Sequence, residues 1–276
     1  MIEVPFNAEK LNRLREWLRS SQRVLVAYSG GVDSSLLLRV ATEELEQEAL
    51  GIMAVSPSLP DSERQQAVEL AQVMGARLKL LPTSETDDAR YQANGPSRCF
   101  HCKDHVYHTL RRYADDHGFD HVIDGMNVED TLDVRPGRAA AKLHAIESPL
   151  HDLGFTKADI RAAARHLGLE NWNKPAAACL ASRVPYGTTV TPGLLGQIER
   201  AEAALFDLGF HELRVRHHGD VARIEVPEAA FDRVLRQRAE IIAALKSAGY
   251  TYVSLDLQGL RSGSMNEVLA GRASAA

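Results

Sequence analysis

Ser29-Gly30-Gly31-Val32-Asp33-Ser34-Ser35 sets two adjacent glycines, three hydroxyls and one carboxylate between the apolar runs Val24-Leu25-Val26-Ala27-Tyr28 and Leu36-Leu37-Leu38. The pattern predicts a strand, a glycine turn and the start of a helix. Backbone without a Cβ approaches a ligand closely, and amides turning into a helix N-terminus present N–H groups and the positive end of a dipole. An anion suits such a place, with Ser29 and Ser34 donating and Asp33 set to orient Mg²⁺ or the helix start. The run has neither the Gly-Lys-Ser/Thr of a mononucleotide P-loop nor the third glycine of a dinucleotide fingerprint. A plain strand-to-helix turn would need one glycine and none of the hydroxyls.

The three cysteines form a second constellation. Arg98-Cys99-Phe100-His101-Cys102 separates two thiols by two residues, and Cys179 follows far downstream in Ala176-Ala177-Ala178-Cys179. Three chemistries compete for them. Cys179 alone suits a small buried apolar residue; Cys99 and Cys102 with His105 and His108 suit structural zinc; three thiolates suit an iron-sulfur cubane whose fourth iron has no protein ligand and is open to an extra sulfide. A third group is basic: Arg214 and Arg216 lie two apart on an expected strand and share a face. They form either a phosphate clamp or a solvated strand face. Glu202, with Glu199, fits an exposed helix face as well as it fits a metal or substrate contact.

The chain that must position these groups has 276 residues, 45% hydrophobic and 25% charged, enough for one large domain or two smaller ones. A net charge of −5 and a pI near 6.1 argue against a nucleic-acid partner held by bulk electrostatics. Charges interrupt every apolar stretch short of a membrane span, and Met1-Ile2-Glu3-Val4-Pro5 does not begin a signal peptide. The expectation is a cytoplasmic protein, and an odd number of cysteines fits a reducing compartment.

Apolar periodicity and caps predict a helix over Ala8–Leu18 capped by Asn7, a strand over Arg23–Tyr28 and a helix over Ser34–Glu46. A strand over Leu50–Val55, a helix over Ser62–Met74 opened by a Ser62-x-x-Gln65 capping box and a strand over Arg77–Leu81 follow. A helix over Lys103–His117, a strand over His121–Asp124 and a helix opened by Thr156-x-x-Asp159 complete the alternation. This is the grammar of an α/β fold, a doubly wound parallel sheet with its ligand at the carboxyl ends of the strands. After the small-residue stretch Pro175–Gly187 the pattern changes. A helix from Thr191-Pro192 to Leu208, strands over Glu212–His217 and Val221–Val226 joined across His218-Gly219-Asp220, a helix over Glu228–Ser247 and a strand over Tyr250–Leu257 suggest a smaller α+β domain. The expected division is therefore 1–187 and 188–276, with a frayed tail from Ala270.

The glycine run resembles the SGGxDS loop of the PP-loop ATP pyrophosphatases. Together with Asp124-Gly125-Met126-Asn127, Asp133-Val134-Arg135-Pro136-Gly137-Arg138, Asn171-Trp172-Asn173-Lys174-Pro175, Cys179-Leu180-Ala181-Ser182-Arg183, Pro185-Tyr186-Gly187-Thr188, Arg214-Val215-Arg216 and Leu255-Asp256-Leu257-Gln258-Gly259-Leu260-Arg261-Ser262-Gly263, it resembles the LarE sulfur transferases over nearly the whole chain.

That resemblance implies ATP and Mg²⁺ at Ser29, Gly30, Gly31, Asp33, Ser34 and Ser35, with Gly125 where backbone nears the AMP portion. It implies adenylation of a carboxylate of a pyridinium dicarboxylate mononucleotide and conversion to a thiocarboxylate for the nickel-pincer nucleotide of lactate racemase. Ser182, Arg183, Glu202, Arg214 and Arg216 become substrate contacts, the arginines for its phosphate. Cys99 and Cys102 beside Cys179 resemble the three-cysteine branch, in which the thiolates hold a 4Fe-4S cluster fed by a sulfide source; sacrifice of the Cys179 sulfur is the alternative. The family commonly forms hexamers. A tRNA-thiolating PP-loop enzyme, an ammonia-using synthetase and a zinc-stabilised nucleotide sensor are the competing classes. The acidic balance counts against the first, and the cysteines would have no purpose in the second.

Overall fold

The computed structural model describes residues 6–131, 136–261 and 263–266. Asp133-Val134-Arg135, Ser262 and the tail from Ala270, singled out above, lie outside the described residues. The chain divides into two compact units, residues 1–87 with 97–177 and residues 88–96 with 178–276. Among the described residues no helix is long and apolar enough to cross a membrane.

In chain order the elements are α1 (Ala8–Ser20), β1 (Val24–Ala27), α2 (Val32–Leu45), β2 (Ala49–Val55), α3 (Asp61–Val73), β3 (Leu78–Pro82), the single turn α4 (Ala89–Gln92), α5 (Arg98–His117), β4 (His121–Ile123), α6 (Pro136–Leu143), α7 (Pro149–Asp152), α8 (Lys157–His166), α9 (Pro192–Asp207), β5 (Arg214–His218), β6 (Val221–Glu225), α10 (Phe231–Arg236), α11 (Arg238–Ser247) and β7 (Tyr252–Leu255).

The first unit is built on a parallel sheet of order β3-β2-β1-β4, registered at Val24↔Ala49, Val24↔His121 and Gly51↔Leu78. This is the expected α/β arrangement. Strand alternation supplies its two cores: Val24 and Val26 pack with Leu36, Ala67 and Ile160 on one face, while Leu25 packs with Tyr107, Leu110 and Val122 on the other. The order reverses beside β1, so the segments leaving β1 and β4 flank a topological switch point, where doubly wound sheets bind ligands.

The second unit pairs β5 with β6 antiparallel and β6 with β7 parallel. Its core runs through Leu205, Val215, Ile224, Ile241 and Leu245. The hairpin turns at Gly219, whose φ of +62° suits glycine. Residues 88–96 join this unit through hydrogen bonds: Val190 N–H donates to Gln92 O at 2.9 Å, and buried Asn94 donates through Nδ2 to Pro185 O at 2.8 Å.

Four local expectations are corrected. Pro60, not Ser62, precedes the first turn of α3, and no side chain caps it; the Asp61 carboxylate accepts from Gln65 and Arg64 in place of a Ser62 box. The helix expected from Lys103 begins at Arg98, so both CxxC thiols are helical. The helix expected over Glu228–Ser247 is a 3₁₀ turn followed by α10 and α11, broken at Gln237. The turns of α4, α6 and α7 have no counterpart in the periodicity reading. Asn7 and Thr156–Asp159 do cap α1 and α8 as expected.

Candidate active site

The glycine loop leaves β1 at the carboxyl edge and enters α2 with Gly31 as N-cap and no side-chain cap. Its two glycines do different work. Gly30 has φ +73°, and a Cβ there would stand 2.5 Å from the Ala67 Cβ. Gly31 has φ −76°, and the nearest atom to its Cβ position is Ser29 Oγ at 3.4 Å. Close packing on α3 thus demands Gly30, while a Cβ at Gly31 would meet only an ordinary contact. The hydroxyls knit the loop: Ser29 Oγ and Ser34 Oγ are 3.1 Å apart, Ser29 N–H donates to Ser34 Oγ at 3.1 Å, and Ser34 Oγ donates to Gly31 O at 3.1 Å. Asn171, from the Asn-Trp-Asn-Lys-Pro segment, donates through Nδ2 to Gly30 O at 3.1 Å and Ser35 Oγ at 3.0 Å. A cavity of about 460 Å³ opens beside Gly30, lined by Gln66, Leu70, Asn171, Asn173 and Lys174.

Asp33 does not only face the helix start. Both of its oxygens accept from Lys157 Nζ, at 2.6 and 2.5 Å, and Asn127 Nδ2 lies 3.5 Å away. Burial raises the Asp33 pKa even though Lys157 opposes the rise. Lys157 was missed by the sequence reading, yet a signal was there. It follows the N-cap Thr156 of a boxed helix, where the dipole disfavours a cation. A cation placed against the dipole in this way signals a tertiary partner, which here is Asp33.

Beyond β4, Asp124 is buried and accepts from Tyr107 Oη at 2.6 Å, Ser148 Oγ at 2.7 Å and Met126 N–H at 3.1 Å. A Cβ on Gly125 would stand 2.8 Å from Ser34 N and 3.0 Å from Asp33 C. The space at Gly125 is therefore filled by the first turn of α2, which fixes the two switch-point segments against each other.

The CxxC pair belongs to the same edge. α5 turns back through Gly118 into β4, and Tyr107 joins it to Asp124 while accepting from Lys103 Nζ at 3.2 Å. Burial, then the Asp124 charge, raises the Tyr107 pKa well above its ordinary value. Cys99 is exposed and Cys102 half-buried; neither is in a disulfide, and they lie one helical turn apart. His105 Nε2 accepts from Ser84 N–H at 3.3 Å, and the His108 ring stands edge-on to His144. The two histidines of the zinc reading thus have neighbours on other segments. Among the described residues no group of three or more His, Cys, Asp or Glu side chains converges as a metal site. Cys99 and Cys102 lie in the first unit and Cys179 in the second.

In that unit Cys179 is an exposed free thiol immediately before a 3₁₀ turn, Leu180–Arg183. Arg183 and Glu202 form a two-bond fork, both bonds 2.9 Å, and Glu202 Oε1 also accepts from Val215 N–H at 2.9 Å. Glu202 is therefore more than a solvated helix residue. Buried Arg216 forks onto Glu225 at 2.9 and 2.7 Å, with Ser264 Oγ at 3.0 Å and Ser182 O at 3.1 Å. Arg214 is half-buried and donates to Leu213 O at 2.6 Å. Ser182, Arg183, Glu202 and Arg216 are thus brought together as one network.

No family model matches the chain. It is 41% identical over 262 residues to an uncharacterized protein of Synechocystis sp., covering 94% of this chain and 98% of that one. It is 40% identical over 253 residues to the pyridinium-3,5-bisthiocarboxylic acid mononucleotide synthase of Lactiplantibacillus plantarum, covering 91% and 92%. An uncharacterized protein of Methanocaldococcus jannaschii is 29% identical over 251 residues, covering 91% and 95%.

Proposed function

The chain belongs to the LarE family, and from that premise we propose that it is an ATP-dependent sulfur transferase acting on a pyridinium dicarboxylate mononucleotide in nickel-pincer nucleotide synthesis. The observation that carries this reading is the 40% identity to a named bisthiocarboxylic acid mononucleotide synthase across nine-tenths of both chains.

The chemistry has two steps. A carboxylate resists attack by sulfide because it is anionic and its oxygen leaves poorly. Its oxygen therefore first attacks the α phosphorus of ATP, forming an acyl adenylate as the bond to pyrophosphate breaks. Hydrosulfide then adds to the acyl carbon, AMP departs with the former carboxylate oxygen, and the proton passes to solvent. A second round converts the other carboxylate.

The loop at Gly31 and the start of α2 hold the departing pyrophosphate, aided by the Ser29 and Ser34 hydroxyls. Asp33 would hold Mg²⁺, which when bound would offset phosphate charge, and Lys157 beside it would neutralise charge developing on the phosphates. Cys99, Cys102 and Cys179 would hold a 4Fe-4S cluster, which when bound supplies an iron open to a replaceable sulfide. The second unit contributes Ser182 and Arg214 to substrate recognition. The protein acts in the cytoplasm as a homo-oligomer, a hexamer by family resemblance.

The test is anaerobic turnover with reconstituted protein, ATP, Mg²⁺, sulfide and the mononucleotide. More than one thiocarboxylate per chain, with Cys179 unchanged in mass, supports the reading. Product stopping at one equivalent, with Cys179 lighter by the elements of hydrogen sulfide, replaces it by sacrifice of that thiol. Thiolation of RNA without reaction of the mononucleotide overturns it.

A further inference from the structure

We propose that Arg183 is a positioning residue for Cys179, and that its guanidinium holds the backbone bearing the thiol instead of binding the substrate's phosphate. The inference rests in part on the reading above, which makes Cys179 a sulfur-handling residue.

The geometry comes first. Pro175 through Cys179 are all exposed and lie in no regular element. A thiol at the end of such a stretch has no helix or strand to fix it. What holds it is Arg183, only 3% exposed along its side chain. Its Nη1 donates to Ala178 O at 2.6 Å, Cys179 O at 3.0 Å and Ser182 Oγ at 3.0 Å. Its Nε and Nη2 fork onto Glu202 at 2.9 Å each. The turn closes on itself through Ser182 N–H to Cys179 O at 2.9 Å and Val184 N–H to Ala181 O at 3.2 Å.

Donor counting separates the two roles. A guanidinium carries five N–H groups. Nε spends one on Glu202, Nη2 one more, and both on Nη1 are shared among three acceptors, leaving one at most for a phosphate. To bind through more than one donor, a phosphate would have to displace a part-buried carboxylate fork, the strongest geometry an arginine offers. Lysine, with a single compact cation, can keep the charge beside Glu202 but cannot reach the carbonyls of residues 178 and 179 at the same time. Glu202 is the outer brace, since it is itself held by Val215 N–H on β5.

The experiment compares the wild type with Arg183→Lys. Amide hydrogen exchange is read at Ser182 and Val184, and steady-state rates are measured with the mononucleotide and with its dephosphorylated nucleoside. We expect Arg183→Lys to speed exchange at both amides by about tenfold. We expect kcat to fall by a similar factor for both substrates, KM to hold, and the preference for the phosphorylated substrate to be unchanged. A preference collapsing toward unity with kcat preserved would show a phosphate ligand and overturn the proposal. Unchanged exchange would overturn it too, whatever the rates. If wild-type protein does not act on the mononucleotide, the functional reading fails while exchange still decides the positioning role. Should Arg183→Lys not fold, Glu202→Gln weakens the same brace and is read at the same amides.

Discussion

The glycine loop and the Cys179 turn are both irregular segments, yet they are held by opposite means. The loop is held by its own backbone and short side chains: Gly30 in a left-handed conformation against Ala67, Ser29 and Ser34 sharing hydrogen bonds, Gly125 closing on α2. The Cys179 turn is held by two long guanidinium groups, Arg183 and Arg216, each forked onto a carboxylate. A phosphate site must let backbone N–H groups approach the ligand, so large side chains are excluded from it. A thiol has to stand clear in solvent and must be braced from behind.

The largest expected effect breaks the comparison at the thiols. Cys99→Ala, Cys102→Ala and Cys179→Ala each remove one of three proposed ligands, and each should abolish iron retention after anaerobic reconstitution. Iron held at the wild-type level by any one of them would remove that residue from the ligand set, and zinc at one per chain with no iron would revive the zinc reading.

Next comes the loop. Asp33→Asn and Lys157→Ala should each lower pyrophosphate release by about 10²–10³-fold, as loss of a transition-state charge contact does, while iron content holds. Asp33→Asn should cost little stability, because burial works against its charge in the folded protein. Unchanged pyrophosphate release in Lys157→Ala would reduce that ion pair to a structural role.

The glycines sharpen the contrast by stability alone. Gly30→Ala places a Cβ on Ala67 at φ +73° and should destabilise by about 1–3 kcal/mol or more in urea denaturation. Gly31→Ala meets no such contact and should stay within about 0.5 kcal/mol. Equal losses would show that the loop is not held as described.

The smallest effect concerns the helix that presents Lys157. Asp159→Ala removes the return bond of the capping box and the partner of Lys10, at a cost of about 1 kcal/mol near neutral pH. Burial works against the Asp159 charge, but bonds from Lys10 and Thr156 outweigh it and leave the pKa below the ordinary 3.8. A carboxylate depressed in this way stabilises above its unfolded pKa and loses that contribution as pH falls through the folded one. The difference between variant and wild type should therefore shrink below about pH 3.8, and a pH-independent difference would assign the loss to packing.

Much of the first unit was legible because its signals are local. Asn7 and Thr156 cap helices through bonds spanning three residues, and strand alternation assigned Val24, Leu25 and Val26 to opposite faces before any partner was known. Local signals also misled where two local options competed. The helix expected to be capped by Ser62 starts at Asp61 with no side-chain cap, and Gln237 broke a helix whose apolar spacing ran on through it. The first turn of α5 was missed because Cys99, Phe100 and Cys102 do not extend the periodicity that begins at Lys103.

From its own residues the chain determined the chemistry on offer: a glycine turn of a kind that suits an anion, three thiols, and arginines of undecided purpose. Those follow from residue type and spacing, which act over one turn of helix or one pair of strand positions. Tertiary structure alone decided what each charge faces. Lys157 meets Asp33 across 124 residues, Asn171 meets the glycine loop across 141 to Gly30, and Arg216 meets Ser182 across 34. A guanidinium carries the same donors whether it binds a phosphate or a carbonyl, so only the packing that buries Arg183 beside Glu202 and the Cys179 turn separates a ligand from a brace.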